Sequence, residues 1–182
     1  MDDAKDITGR TIALVGLMGV GKSSVGRRLA TALSMPFVDA DAEIETAAGR
    51  SVSDIFADLG EIEFRSGEHR VIKRIIKGPP TVLATGGGAF IHEGTRALLK
   101  AQAVTVWLQA DLDVLVERAT RRDTRPLLRG KDPRAVLARL AEARYPLYAE
   151  ADVHVMTGDG AHRDSVRAVI AGIRAHYAGK TG

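Results

Sequence analysis

An apolar run, Ile12-Ala13-Leu14-Val15, leads straight into Gly16-Leu17-Met18-Gly19-Val20-Gly21-Lys22-Ser23, and a helical stretch to about Leu33 follows. The eight-residue segment fits G-x-x-x-x-G-K-[ST], a spacing with a mechanism behind it. Glycines let the backbone wrap tightly, so that several N–H groups converge on one point, and the start of the helix adds a dipole favourable to anions. The segment works only with a strand entering and a helix leaving, which is the context found. It implies a nucleoside triphosphate, ATP or GTP: Lys22 would reach its β- and γ-phosphates, and the Ser23 hydroxyl would bind Mg²⁺. It does not name an acceptor.

The rest of the chain keeps the same rhythm. Phe37-Val38 ending in Asp39 reads as a second strand, with helix from Asp41 to Ala48 stopping at Gly49. Ser51 to Asp54 has capping-box spacing and starts another helix. Glu61 to Ile76 is a longer helix, ended by Gly78-Pro79-Pro80. Thr81 to Ala84 is a third strand running into Gly86-Gly87-Gly88, and Val104 to Leu108 is a fourth, followed by helix from Asp111 to about Arg121. The polar stretch from Asp123 to Pro133 reads as an exposed loop, and Pro133 suits the first position of a helix to about Arg144. Val153 to Met156 is a fifth strand, and His162 to Tyr177 a closing amphipathic helix. Strands alternating with helices signal an α/β fold with a parallel sheet.

The 182 residues suit a single domain, 1–182, whose polar start, residues 1–10, is expected to be flexible. Without cysteine there is no disulfide or thiolate metal site. No apolar run has the length of a spanning helix, so no membrane and a cytoplasmic location are expected. The net charge is only +3 and aromatic residues are 4%, which offers few stacking platforms and argues against nucleic acid.

In open parallel sheets, ligands bind beyond the carboxyl ends of the strands. Asp39-Ala40-Asp41 follows strand two; residues two apart in extended backbone share a side, so both carboxylates can face one cleft. One can hold a Mg²⁺-bound water while the other takes a proton from an acceptor hydroxyl. The plainer alternatives are a helix cap for Asp41 and a surface charge for Asp39. Gly86, Gly87 and Gly88 allow close approach of a ligand to bare N–H groups, or are simply a loose loop. Arg65 and Glu68 lie three apart on one helix face, as a carboxylate clamp with its brace or as a surface ion pair. Arg125 sits in the loop at about 122–132, where an arginine can close over phosphates as a lid. Arg144 is either a further anion clamp or a satisfier of its helix C-terminus.

Taken in order, the P-loop, Asp39-Ala40-Asp41, Gly60-Glu61-x-Glu63-Phe64-Arg65-x-x-Glu68, Gly86-Gly87-Gly88, Arg125-Pro126-Leu127-Leu128 and Arg144-x-Pro146-Leu147-Tyr148 resemble the shikimate kinase family, over about Thr11 to Met156. The resemblance implies a three-layer αβα P-loop fold with a five-stranded parallel sheet in the order 2-3-1-4-5 and a lid. It implies transfer of the γ-phosphoryl group of ATP to the 3-hydroxyl of shikimate, with Mg²⁺, by a monomer. At matching positions it implies ATP contacts by Gly19, Val20, Gly21, Lys22, Ser23, Ser24, Arg118 and Arg125, with Arg118 on adenine. Ser23 and Asp39 would serve the metal. Asp41, Arg65, Glu68, Gly86, Gly87, Gly88 and Arg144 would serve shikimate, with Asp41 as base and Lys22 and Arg125 beside it in catalysis. Ser24 and Thr85 depart from the frequent threonine and serine without removing a charge. A gluconate-kinase-like enzyme or a non-catalytic nucleotide-binding regulator are the competing readings.

Overall fold

The computed structural model describes residues 7–121, 128, 130–158 and 162–180. Five strands form one parallel sheet: β1 (Thr11–Val15), β2 (Phe37–Asp39), β3 (Val82–Ala84), β4 (Ala103–Gln109) and β5 (Val153–Met156), in the order β2-β3-β1-β4-β5. This is the order the resemblance implied. β1 lies at the centre, Ile12 facing Val82 on one side and Val104 on the other, and all five of its residues are buried. An unbroken apolar run is what a strand covered on both faces requires.

The helices are α1 (Lys22–Leu33), α2 (Ala40–Ala48), α3 (Val52–Ile76), α4 (Glu93–Gln102), α5 (Leu112–Thr120), α6 (Pro133–Tyr148) and α7 (His162–Ala178), with a 3₁₀ turn at Ala89–Ile91. They flank the sheet in three layers: α1 packs on β1, β2 and β3 and against α7, which covers β5, while α4 packs on β4 and against α3. One core runs from β1 through Leu29, Leu83, Leu99, Val106, Leu115, Leu137 and Ile173. A smaller cluster of Ile44, Ile55 and Phe64 joins α2 to α3. Among the described residues no helix is long and apolar enough to cross a membrane.

Several expectations change. Ile7 is 1% exposed and belongs to the core, so packing begins inside the stretch expected to be flexible, because one apolar side chain among polar neighbours is enough to dock it. Helix α4 was not expected. Helix α6 runs past Arg144 to Tyr148, with Pro146 inside its last turn. The two helices expected on either side of Gly60 are both present as the two halves of α3, which meet in a kink at that glycine, whose φ of 77° and ψ of 176° are not helical. Arg125 and most of the lid loop at 122–132 lie outside the described residues.

Candidate active site

The loop after β1 turns through positive φ at Gly19 (83°) and Gly21 (99°), which glycine adopts without strain. α1 then starts at Lys22. The Lys22 ammonium is buried and donates to the carbonyls of Gly16 at 2.6 Å and Leu17 at 3.0 Å, so its charge is held inside the loop. Gly19, Gly21, Lys22, Ser23 and Ser24 line a cleft of about 980 Å³. Val20 does not: its side chain is 1% exposed in the core, so it anchors the loop from beneath and only its backbone is left for a ligand. Arg118, on α5, spans the loop from outside, donating to the carbonyls of Val20 and Gly158 at 3.2 Å each, and borders the same cleft.

Both carboxylates after β2 reach the cleft, but not by alternation along a strand. Asp39 caps α2: its Oδ1 accepts from the N–H groups of Asp41 (3.0 Å) and Ala42 (3.3 Å). Asp41 is therefore in the first helical turn, and the cap that was an alternative for Asp41 belongs to Asp39. The other oxygen of Asp39, Oδ2, accepts from the Ser23 hydroxyl at 2.6 Å. Burial, then the neighbouring Asp39, push the Asp41 carboxyl above its ordinary value, against the pull of Lys22 and Arg65.

Beside Asp41 opens a smaller pocket of about 130 Å³, lined by Phe56, Phe64, Arg65, Glu68, Arg144 and the three glycines among others. Arg65 donates Nη1 to Glu68 Oε2 at 2.7 Å, and Glu68 is fully buried, with burial raising its pKa and Arg65 opposing the rise. A methyl group on Gly86 would stand 2.7 Å from Glu68 Oε1 and 2.9 Å from Asp41 Oδ1, and one on Gly88 would fall on the Arg65 guanidinium. The glycines are needed there for space. Arg144 is buried and donates to the Gly87 carbonyl at 3.0 Å. The large cleft and the small pocket share Met18, Asp41, Val52, Gly86 and Gly87, so one opens on the other at Asp41.

The site thus joins an anion cradle to a pocket holding two arginines and two carboxylates. Ser23 and Asp39 form an oxygen-only pair, which suits a hard cation such as Mg²⁺; that ion takes most of its ligands from phosphate and water. Among the described residues there is no group of three or more His, Cys, Asp or Glu side chains that could hold a metal ion. Sequence reading did not single out Met18 or His162, which border the cleft, or Tyr148, which donates to the Gly87 carbonyl. Met18 stands inside the Gly16–Ser23 motif and Tyr148 ends the Arg144-x-Pro146-Leu147-Tyr148 run, whereas His162 is marked only as the start of the closing helix.

Sheet order, phosphate loop and adjoining acceptor pocket define a P-loop small-molecule kinase. The shikimate kinase family model matches residues 18–174. A shikimate kinase of Caulobacter vibrioides is 60% identical over 177 residues, covering 97% of this chain and 88% of that protein. One of Paramagnetospirillum magneticum is 56% identical, covering 91% and 85%. The solved structure of a shikimate kinase from Acinetobacter baumannii in complex with shikimate superposes with a TM-score of 0.87 at 37% identity, over 92% of this chain and 94% of that one. The chain belongs to the shikimate kinase family.

Proposed function

We propose that this protein transfers the γ-phosphoryl group of ATP to the 3-hydroxyl of shikimate, giving shikimate 3-phosphate and ADP. The observation that carries the proposal is the opening of the Arg65–Arg144 pocket onto the phosphate cleft at Asp41. The loop from Gly19 to Ser24 and Lys22 would bind the triphosphate, with Arg118 against the base. Guanidinium groups match a carboxylate, so Arg65 and Arg144 would grip the ring carboxylate while Glu68 fixes Arg65. The N–H groups of Gly86 to Gly88 would meet the ring side of the substrate. Asp41, at the junction, would accept the proton of the 3-hydroxyl as its oxygen bonds to the γ-phosphorus and the β,γ-bridging bond breaks. Ser23 and Asp39 would hold Mg²⁺, which supplies charge neutralisation for the phosphates when bound. Arg125 would close over them from the 122–132 loop. The enzyme is proposed to be a single-domain, cytoplasmic monomer.

The deciding experiment measures ADP release from MgATP with shikimate, and in parallel with quinate, gluconate, AMP or no acceptor. A rise with shikimate alone is expected. A rise with gluconate or AMP instead would replace the acceptor, and ATP binding without turnover on any of them would favour a regulator.

A further inference from the structure

The three carbonyls of the glycine strip are all engaged. Gly86 O accepts from Ala89 N at 3.2 Å and Gly88 O from Ile91 N at 3.1 Å. Gly87 O takes two donors, Arg144 Nη1 at 3.0 Å and the Tyr148 hydroxyl. None of the three N–H groups has an acceptor among the described residues. Because a trans peptide sets C=O and N–H in opposite directions, fixing the Gly87 carbonyl also fixes the Gly88 N–H, pointing away from Arg144 and Tyr148. We infer that Tyr148 is a positioning residue for the acceptor: its hydroxyl, through the Gly87 carbonyl, holds the Gly88 N–H donor and the Arg144 guanidinium in the geometry that receives shikimate.

The side chain is built for such a role. Tyr148 is 1% exposed and its ring is locked between Phe90 (centroids 6.4 Å apart) and Trp107 (5.9 Å). Burial pushes its pKa up to about 12, so the phenol remains a donor across the working range of pH. It stands one helical turn beyond Arg144 on α6, so both donors come from one rigid element. A tyrosine needed only for packing could be replaced by phenylalanine at no cost to the acceptor.

The inference rests on the acceptor being shikimate, so calorimetric titration of the wild-type protein comes first; no binding there would fail that reading and not this one. With wild-type binding established, Tyr148→Phe should raise the Kd and KM for shikimate about 5-fold, the weight of one hydrogen bond. KM for ATP should stay within 2-fold, and kcat should fall less than KM rises. Phe90→Leu, which loosens the same ring without removing a donor, should lower Tm without splitting the two KM values. In ¹⁵N spectra of the wild-type protein, the amide signals of Gly86, Gly87 and Gly88 should shift on adding shikimate, a readout that needs no variant. An unchanged shikimate Kd in Tyr148→Phe, or glycine amides that do not respond, would overturn the inference.

Discussion

Arg65 and Glu68 meet on one face of α3, Nη1 to Oε2 at 2.7 Å, with Glu68 wholly buried and its Oε1 without a hydrogen-bond partner among the described residues. The spacing of three is ordinary for a surface ion pair, which contributes little. Depth makes this one different. Removing one member of a fully buried pair costs about 3 kcal/mol or more, an upper bound here because Arg65 keeps Glu61 at 3.5 Å. Glu68→Ala should therefore lower Tm by no more than roughly 6–12 °C and free Arg65 from its rotamer. Steady-state kinetics should show a KM for shikimate raised at least about 10-fold and a KM for ATP nearly unchanged. Equal loss toward both substrates would separate Glu68 from the acceptor pocket.

Asp39 does two things with two oxygens: Oδ1 caps α2 and Oδ2 accepts from Ser23. Substitutions can part them. Asparagine caps a helix about as well as aspartate, so Asp39→Asn should keep the stability within about 1 kcal/mol while the Mg²⁺ concentration for half-maximal rate rises on the order of 10-fold. Asp39→Ala should add the loss of the cap, about 1 kcal/mol. Chemical denaturation and Mg²⁺ titration read the two effects independently. An Asp39→Asn enzyme with wild-type Mg²⁺ dependence would reduce Asp39 to a cap.

The two aspartates also show how far sequence carries. The phosphate loop was legible because all its parts are contiguous, and Arg65 with Glu68 because helical periodicity is local. Convergence of Asp39 and Asp41 was anticipated from alternation along a strand, yet a helix start produces it; the strand ends at Asp39, and Ala40 and Asp41 are already helical. Helix α4 was missed because its cap is His92, whose Nδ1 accepts from Thr95 N at 3.2 Å, and histidine is not among the residues that announce a helix start. The Tyr148–Gly87 bond spans 61 residues of chain and has no local signature. Arg125 was picked out as a lid residue, and it lies outside the described residues.

Asp41 carries a pH prediction. Its carboxyl pKa is raised above 3.8, chiefly by burial. As the base it must be ionised, so kcat/KM for shikimate should fall on the acid side at a pH above that of an ordinary aspartate. For stability the sign is opposite. Between 3.8 and the raised folded value the native state binds more protons than the unfolded chain, so this group's contribution weakens as pH rises through that window and the deficit persists at neutral pH. Asp41→Asn removes the buried charge. It should cut kcat by at least about 100-fold and at the same time raise Tm at pH 7, an advantage that shrinks on acidification. Near-normal turnover in the variant would sink Asp41 as base; a lowered Tm would mean that Lys22 and Arg65 outweigh the desolvation.

Gly60 tests whether the acceptor pocket is shaped by backbone or by space. Its φ of 77° and ψ of 176° fall in a region nearly reserved for glycine, yet a methyl group there would meet nothing within 4 Å. A substitution is therefore opposed by the backbone alone. Two responses are open to Gly60→Ala. Holding the kink would cost about 1–3 kcal/mol. Relaxing to helical φ would recover helix propensity, about 1 kcal/mol in favour of alanine over glycine, and join the two halves of α3 into one straight rod. The second response moves Val52 and Phe56, which line the pocket, relative to Arg65 and Glu68, which stand after the break. The expected result is relaxation: helical circular dichroism slightly increased, Tm changed by only a few degrees, and KM for shikimate raised about 10-fold against an unaltered KM for ATP. A variant that loses Tm but keeps its shikimate KM has held the kink, and the pocket is then fixed by the side chains packed around it.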